Sequence, residues 1–203
     1  MRRAFLISVA VVAFVTGCGG GGSEPSASGE WTRHDIRGTN ASVAVPKEWK
    51  ALEDFDEQTI SEFTKENEKF APYVEPLLCR DIFKLFALDP DVEEEFATNL
   101  NVIAAPVSVP LRDWVASQNA STRPVAVPGS LRTTYVRTPA GKAARVSWLL
   151  ELNSGGEKKT VRSLQYMFRQ GEAGYILTFS TLPSQAAKYE PTFKKSAESF
   201  RPG

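Results

Sequence analysis

AARVSWLLELNSGGEKKTVRSLQYMFRQGEAGYILTFSTL runs from Ala143 to Leu182, and this stretch decides the fold. Apolar residues recur at every second position in three successive runs, at 146–152, 164–168 and 175–179. Glycine-containing turns separate the runs. A two-residue period joined by short turns predicts three antiparallel strands in a meander with one face covered.

The segment that follows the meander has the period of a helix. Its apolar stripe comprises Ala186, Tyr189, Phe193, Ala197 and Phe200. This spacing places the stripe on one face, which we expect to pack across the sheet. Ser184 is the expected N-cap, and Pro191 is tolerable if it begins a new first turn.

The earlier part of the domain mixes both periods. Strands are predicted at Ser42–Pro46, Asp81–Leu88 and Phe96–Val107, and helices at Asp56–Phe70, Pro72–Cys79 and Leu111–Asn119. The fold class is therefore α+β, an antiparallel sheet flanked by helices. The acidic run Asp89–Glu95 lacks the ligand spacing and turn glycine of a calcium loop, so we interpret it as a solvated loop between strands.

The N-terminus has the pattern of an export signal. After the basic Met1–Arg3 comes the apolar stretch Ala4–Val15, about 18 Å of helix against a hydrocarbon core of about 30 Å. This length favours a cleaved signal peptide over a membrane span or a buried core helix. The sequence Val15-Thr16-Gly17-Cys18 resembles the bacterial lipobox, which implies cleavage between Gly17 and Cys18 and lipid attachment at Cys18.

Gly19–Gly29 has no apolar periodicity and predicts a flexible tether. The expected organisation is a signal peptide at 1–17, the lipidated Cys18 with its tether at 18–29, and one domain at 30–203. Localisation is then the extracytoplasmic face of the cell membrane, with the acyl chains of Cys18 as the membrane contact.

Charge and composition exclude several classes of function. The chain has 24 basic and 24 acidic residues, and such a balance gives no electrostatic footprint for nucleic acid. With Cys18 lipidated, Cys79 has no partner for a disulfide and is interpreted as a small buried hydrophobe. His34 is the single histidine and is expected to be an ordinary half-exposed residue of the first strand. We therefore predict no catalytic residues, no metal and no cofactor.

The four tryptophans leave two interpretations open. Trp31, Trp49, Trp114 and Trp148 could line a binding groove, but most buried tryptophans fill a core.

Four segments together resemble a known family. They are SVAVPKEW (42–49), TNLNVIAAPV (98–107), GYILTFST (174–181) and FKKSAESFR (193–201). In this order they resemble PsbP-like domains, the fold of the photosystem II extrinsic protein, the Mog proteins and bacterial lipoproteins, in particular the actinobacterial LpqN/LpqT type. The resemblance implies a central antiparallel sheet flanked by helices, usually without catalytic activity.

The expected function is a non-catalytic, lipid-anchored binding or accessory module that interacts with an envelope protein. The alternative is a carrier of a small apolar ligand or lipid, and a third is a weak hydrolase that uses His34. The layer between the C-terminal helix and the sheet separates the first two: a cavity of several hundred Å³ favours the carrier, and close packing favours the protein partner.

Overall fold

The computed structural model describes residues 30–53, 57–66, 82–154 and 157–203. The predicted signal peptide, Cys18, the tether, Cys79 and the predicted helix Pro72–Cys79 lie outside these residues.

The described elements follow one another along the chain as strands interspersed with helices. The strands are β1 (Trp31–Asp35), β2 (Ser42–Pro46), β3 (Lys50–Leu52), β4 (Phe83–Glu93), β5 (Phe96–Pro106), β6 (Arg132–Thr138), β7 (Gly141–Ser154), β8 (Glu157–Gln170) and β9 (Ala173–Thr181). The helices are α1 (Glu57–Glu66), α2 (Leu111–Thr122) and α3 (Ala186–Glu198), the last preceded by a 3-10 turn at Pro183–Gln185. The predicted α+β class is confirmed.

Within the described residues, seven strands form one antiparallel sheet in the order β3-β4-β5-β9-β8-β7-β6, and β1 pairs separately with β2. The predicted meander is confirmed as β7, β8 and β9. The turn between β8 and β9 consists of Gly171 and Glu172. Gly171 has a positive φ of 58°, which residues other than glycine rarely adopt. Gly174 lies inside β9.

The front face of the sheet carries Leu100, Leu164 and Phe179 and packs against α3 and β2. The whole predicted stripe of the C-terminal segment, from Ala186 to Phe200, is buried. The capping prediction was wrong, because the 3-10 turn intervenes and α3 has Gln185 as its N-cap, with no side-chain hydrogen bond. Pro191 lies inside a continuous helix rather than starting a new one.

The back face of the sheet is covered too, which the alternation alone did not predict. Trp114 and Val115 of α2 pack against back-face residues of the meander, among them Val146, Met167 and Ile176. A sheet buried on both faces needs an outer layer on each side. The expectation that one face of the meander is covered was therefore too narrow.

The interpretation of Asp89–Glu95 as a solvated loop was also wrong. Strand β4 continues to Glu93, and a shift of register between Leu88 and Val92 accommodates Pro90. Only Glu94 and Glu95 form the turn to β5, both with positive φ, as a tight hairpin requires. Asp89 is 3% exposed, so this acid is part of the interior.

The first helix is shorter in the described residues than its predicted range. α1 spans Glu57–Glu66, and its Ile60 is buried. The rest of the predicted range, at 56 and 67–70, lies outside the described residues.

Candidate functional site

The acidic run places one carboxyl group beneath the C-terminal helix. Tyr189 of α3 donates its hydroxyl proton to Oδ2 of Asp89 at 2.7 Å, and the backbone N–H of Asp91 donates to Oδ1 at 2.8 Å. Burial raises the pKa of the Asp89 carboxyl, and these two hydrogen bonds partly oppose the rise. Burial and the neighbouring Asp89 raise the pKa of the Tyr189 hydroxyl, which keeps it a donor.

A second set of contacts joins the same two elements. Glu93 of β4 accepts hydrogen bonds from Gln185 and from Lys188, the latter at 3.4 Å. Because these contacts lie beside the Asp89–Tyr189 pair, the end of β4 is fixed to the start of α3. This arrangement stabilises the fold.

His34, the expected residue of any hydrolytic site, lies in β1 as predicted. Its Nδ1 is 2.5 Å from a carboxylate oxygen of Glu53, and 13% of its side chain is exposed, less than the half-exposed position expected. The hydrogen bond described for this side chain thus involves a carboxylate rather than a hydroxyl or thiol. Within the described ranges, no group of three or more histidine, cysteine or acidic side chains is placed to hold a metal ion.

Three of the four tryptophans fill the core. Trp49, Trp114 and Trp148 are each 5% exposed or less. Trp31 is partly exposed, and the ammonium group of Lys195 lies 4.5 Å from its ring centroid. The groove-lining interpretation is therefore wrong for the three buried rings.

The surface with the features of an interaction site is β6, the strand at one end of the seven-stranded sheet. Among the strands that the structure describes, β6 pairs with β7 alone, and its sequence RTTYVRT carries two arginines and the 44% exposed Tyr135. Lys142, at the start of β7, places its ammonium group 5.1 Å from the Tyr135 ring centroid. A surface cavity of about 370 Å³ lies along this hairpin, lined in part by Tyr135, Arg137 and Lys142.

Sequence reasoning missed this basic edge. The signal was available as three basic residues within RTTYVRTPAGK and no acidic residue among them. The position of β6 at the end of the sheet could not be predicted from the sequence, because strand order depends on contacts between distant segments. We call Arg132–Thr138 together with Lys142 the basic edge.

Comparison with known proteins gives structural matches alone. The chain matches no protein-family model and no curated protein. Among solved structures it is similar to the cyanobacterial PsbP protein of Synechocystis, with 13% identity over 93% of this chain and 99% of that chain, at a TM-score of 0.47. PsbP-like structures are thus among its matches.

Two further matches are bacterial. The structure of LpqN, a Mycobacterium tuberculosis protein involved in cell envelope biogenesis, shares 9% identity over 84% of this chain and 89% of that chain, at a TM-score of 0.47. A Pseudomonas aeruginosa protein of unknown function, a suggested regulator, shares 14% identity over 86% of this chain and 99% of that chain, at the same TM-score. The resemblance to PsbP-like and LpqN-type proteins that the sequence motifs indicate is found among solved structures as well. These matches have TM-scores below 0.5, and the proposals below are argued from the residues of this chain alone.

No helix within the described parts of the chain is both long and apolar enough to span a membrane.

Proposed function

We propose that this chain is a non-catalytic binding module, lipid-anchored on the extracytoplasmic face of the cell membrane, that contacts an envelope protein. The proposed layout is a cleaved signal peptide at 1–17, an acylated Cys18 with its tether at 18–29, and the α+β domain at 30–203. The lipobox-like Val15–Cys18 and the glycine-rich spacer support the anchor. A spacer of eleven residues reaches roughly 18 Å, which holds the domain clear of the lipid surface.

The observation that carries the choice of a protein partner is the close packing of the front layer. The ring of Phe193 stacks on Phe179 with centroids 4.8 Å apart, and Phe168 lies 4.5 Å from Phe200. All four rings are 3% exposed or less. Rings at these distances leave no room for an apolar ligand between α3 and the sheet. By the criterion stated above, this packing favours a protein partner over a carrier of apolar ligands.

The basic edge is the proposed contact surface. An edge strand has unpaired backbone N–H and C=O groups that can pair with one more strand. Arg132, Arg137 and Lys142 surround this edge with positive charge, and Tyr135 offers an exposed aromatic ring. The occupant that fits is an extended segment of an envelope protein that carries acidic side chains.

In-cell photocrosslinking tests this proposal. A photoreactive amino acid is placed at Tyr135 of the anchored full chain and, as a control, at the exposed Lys47 near the end of β2, and the products are read by mass spectrometry. We expect one dominant envelope protein from position 135, little from position 47, and loss of the product in R132E/R137E. The matched control K47E/K194E reverses two exposed charges elsewhere and should leave the product intact.

Recovery of the same proteins from both positions, or an unchanged product in R132E/R137E, would contradict the proposed edge.

The anchor is tested separately by detergent phase partitioning of the wild type against Cys18→Ser. We expect the wild type in the detergent phase and the variant in the aqueous phase. Equal partitioning of the two would exclude lipidation at Cys18.

A further inference from the structure

Another surface cavity lies on the front face of strands β6, β7 and β8. It measures about 310 Å³ and is lined in part by Ser130, Arg132, Ser147, Leu149, Arg162 and Pro183. Binding sites for small molecules measure about 300–1,000 Å³, so this cavity is large enough for a small ligand. We call it the front cavity.

The strand register places an arginine on each side of Ser147. Arg132 of β6 is directly opposite Ser147 of β7. Ser147 is also opposite Leu164 of β8, which belongs to the front-face core, and Arg162 is two residues before Leu164 on the same strand. Residues that are opposite each other, or two apart along one strand, share a face of the sheet. Two guanidinium groups and one hydroxyl from three adjacent strands therefore line the front cavity.

These polar groups are accessible to a ligand. The side chain of Arg162 is 34% exposed, Arg132 is exposed and Ser147 is partly exposed. Nη1 of Arg132 donates to the carbonyl oxygens of Gly129 at 2.6 Å and Leu131 at 3.0 Å, which holds its guanidinium group near the start of β6. An arginine has five N–H donors, so Nε and Nη2 of this side chain can still donate to a ligand. The Ser147 hydroxyl adds one more donor.

Positive charge exceeds negative charge around the front cavity. Glu190 of α3 is shared, because one of its carboxylate oxygens accepts from Arg145 and the other lies 3.5 Å from Nη2 of Arg162. Together with the arginine of β6, three guanidinium groups are thus balanced by one carboxylate. Glu151, on the same strand as Ser147, is paired with Lys158 at 3.4 Å and adds no net charge. An anion in the cavity would be attracted by this excess.

A phosphate group suits two arginines and a hydroxyl better than a carboxylate does. Guanidinium groups bind both kinds of anion through paired N–H···O hydrogen bonds. A carboxylate has two oxygen atoms, which a single arginine can occupy. A phosphate monoester has three terminal oxygen atoms and a charge of about −1.5 to −2 at pH 7, so it can accept from both arginines and the serine together.

We propose that the front cavity binds the phosphate group of a small phosphate monoester. Arg132 and Arg162 neutralise its charge, Ser147 donates a hydrogen bond, and the body of the ester packs on Leu149 and Pro183. This site goes beyond the proposed protein contact, because it depends on Arg162 and Ser147 and shares Arg132 alone with the basic edge. The same chemistry is present in soluble phosphate esters and in the headgroup of phosphatidic acid.

The test uses the full chain carrying Cys18→Ser, so that the protein is handled without lipid. Isothermal titration calorimetry at low ionic strength, where screening is weak, measures binding of glycerol 3-phosphate, dihexanoyl phosphatidic acid and dihexanoyl phosphatidylcholine. We expect a dissociation constant of about 1 mM or lower for at least one of the two monoesters. Binding of glycerol 3-phosphate supports a soluble ester, and binding of phosphatidic acid alone supports a lipid headgroup. Phosphatidylcholine has the same acyl chains but no net charge, so it should bind at least tenfold more weakly than phosphatidic acid.

Substitutions at the cavity locate the bound ester. Arg132→Gln and Arg162→Gln should each weaken its affinity about tenfold or more. Arg137→Gln is the matched control: it removes an arginine from the same strand as Arg132, but it follows Val136, which packs on the front-face core, and so lies on the other face. Its affinity should equal that of the wild type. Ser147→Ala removes a single oxygen atom, should also weaken binding, and keeps the test valid if Arg162→Gln folds poorly.

Three outcomes would overturn the proposal. The first is that neither monoester binds. The second is that phosphatidylcholine binds as tightly as phosphatidic acid while glycerol 3-phosphate does not bind, which would assign the affinity to the acyl chains. The third is an unchanged affinity in Arg162→Gln and Ser147→Ala, or an equal loss in Arg137→Gln. Because the crosslinked product at Tyr135 is measured without any ester, each of the two proposals can fail without the other.

Discussion

Tyr189→Phe removes the hydroxyl group that bonds Asp89 and leaves the ring in place. Both residues are 3% exposed or less, and the oxygen atoms are 2.7 Å apart. A hydrogen bond to a charged group contributes about 1.5–3 kcal/mol, and one to a neutral group about 0.5–1.5 kcal/mol. The cost of Tyr189→Phe in the free energy of unfolding should therefore depend on the charge of Asp89.

The sign of this dependence follows from the pKa of Asp89. Burial raises it in the folded state, so this group contributes stability below the unfolded pKa that is lost as pH rises through the folded pKa. The Tyr189 hydroxyl opposes the rise, and without it the pKa of Asp89 should rise further. The variant should therefore lose more stability than the wild type with increasing pH, so its destabilisation should be larger at about pH 7 than at about pH 4.

Urea unfolding of the Cys18→Ser chain at the two pH values measures this difference. Tyr175→Phe is the control. Tyr175 is also a buried tyrosine of the front-face core, but it packs against Phe200 near the start of β9. Its effect should be small and the same at both pH values. Asp89→Asn removes the titration, so its stability relative to the wild type should improve as pH rises. A destabilisation by Tyr189→Phe that is equal at both pH values would refute this reasoning.

Three further substitutions test the packing of the sheet by urea unfolding. Phe193→Ala removes a ring stacked on Phe179 and should cost about 3–5 kcal/mol; a negligible change would place α3 in solvent. Gly174→Ala would place its Cβ 2.7 Å from the ring of Trp114 and should cost about 1–3 kcal/mol, whereas no loss would contradict the close approach of α2. Gly171→Ala meets open space but has a positive φ, so about 1–2 kcal/mol is expected, and a stabilisation would contradict the turn geometry.

The sequence predicted those parts of the fold whose signal is local. The meander and the stripe from Ala186 to Phe200 each repeat at the period of their secondary structure, and both were confirmed. The end of β4 was missed because Asp89–Glu95 has the composition of a loop, while its pairing with β5 depends on residues that follow the turn. The buried hydrogen bond between Asp89 and Tyr189 joins residues one hundred positions apart, so no local sequence pattern predicts it.

The candidate sites were less predictable for a similar reason. Basic residues in RTTYVRT are visible in the sequence, but the position of β6 at the end of the sheet follows from the order of all seven described strands. His34 was the only histidine to consider, and its contact with Glu53 joins two segments that no motif connects. The prediction of lipidation at Cys18 concerns residues outside those described and stays a prediction.

Asn99 and Asn101 of β5, each 2% exposed or less, show why alternation alone leaves one face of a strand undecided. Asn99 and Asn101 alternate with apolar residues as the polar side of a solvent-exposed strand would. Their burial depends on the layer over the back face, which is set by tertiary structure.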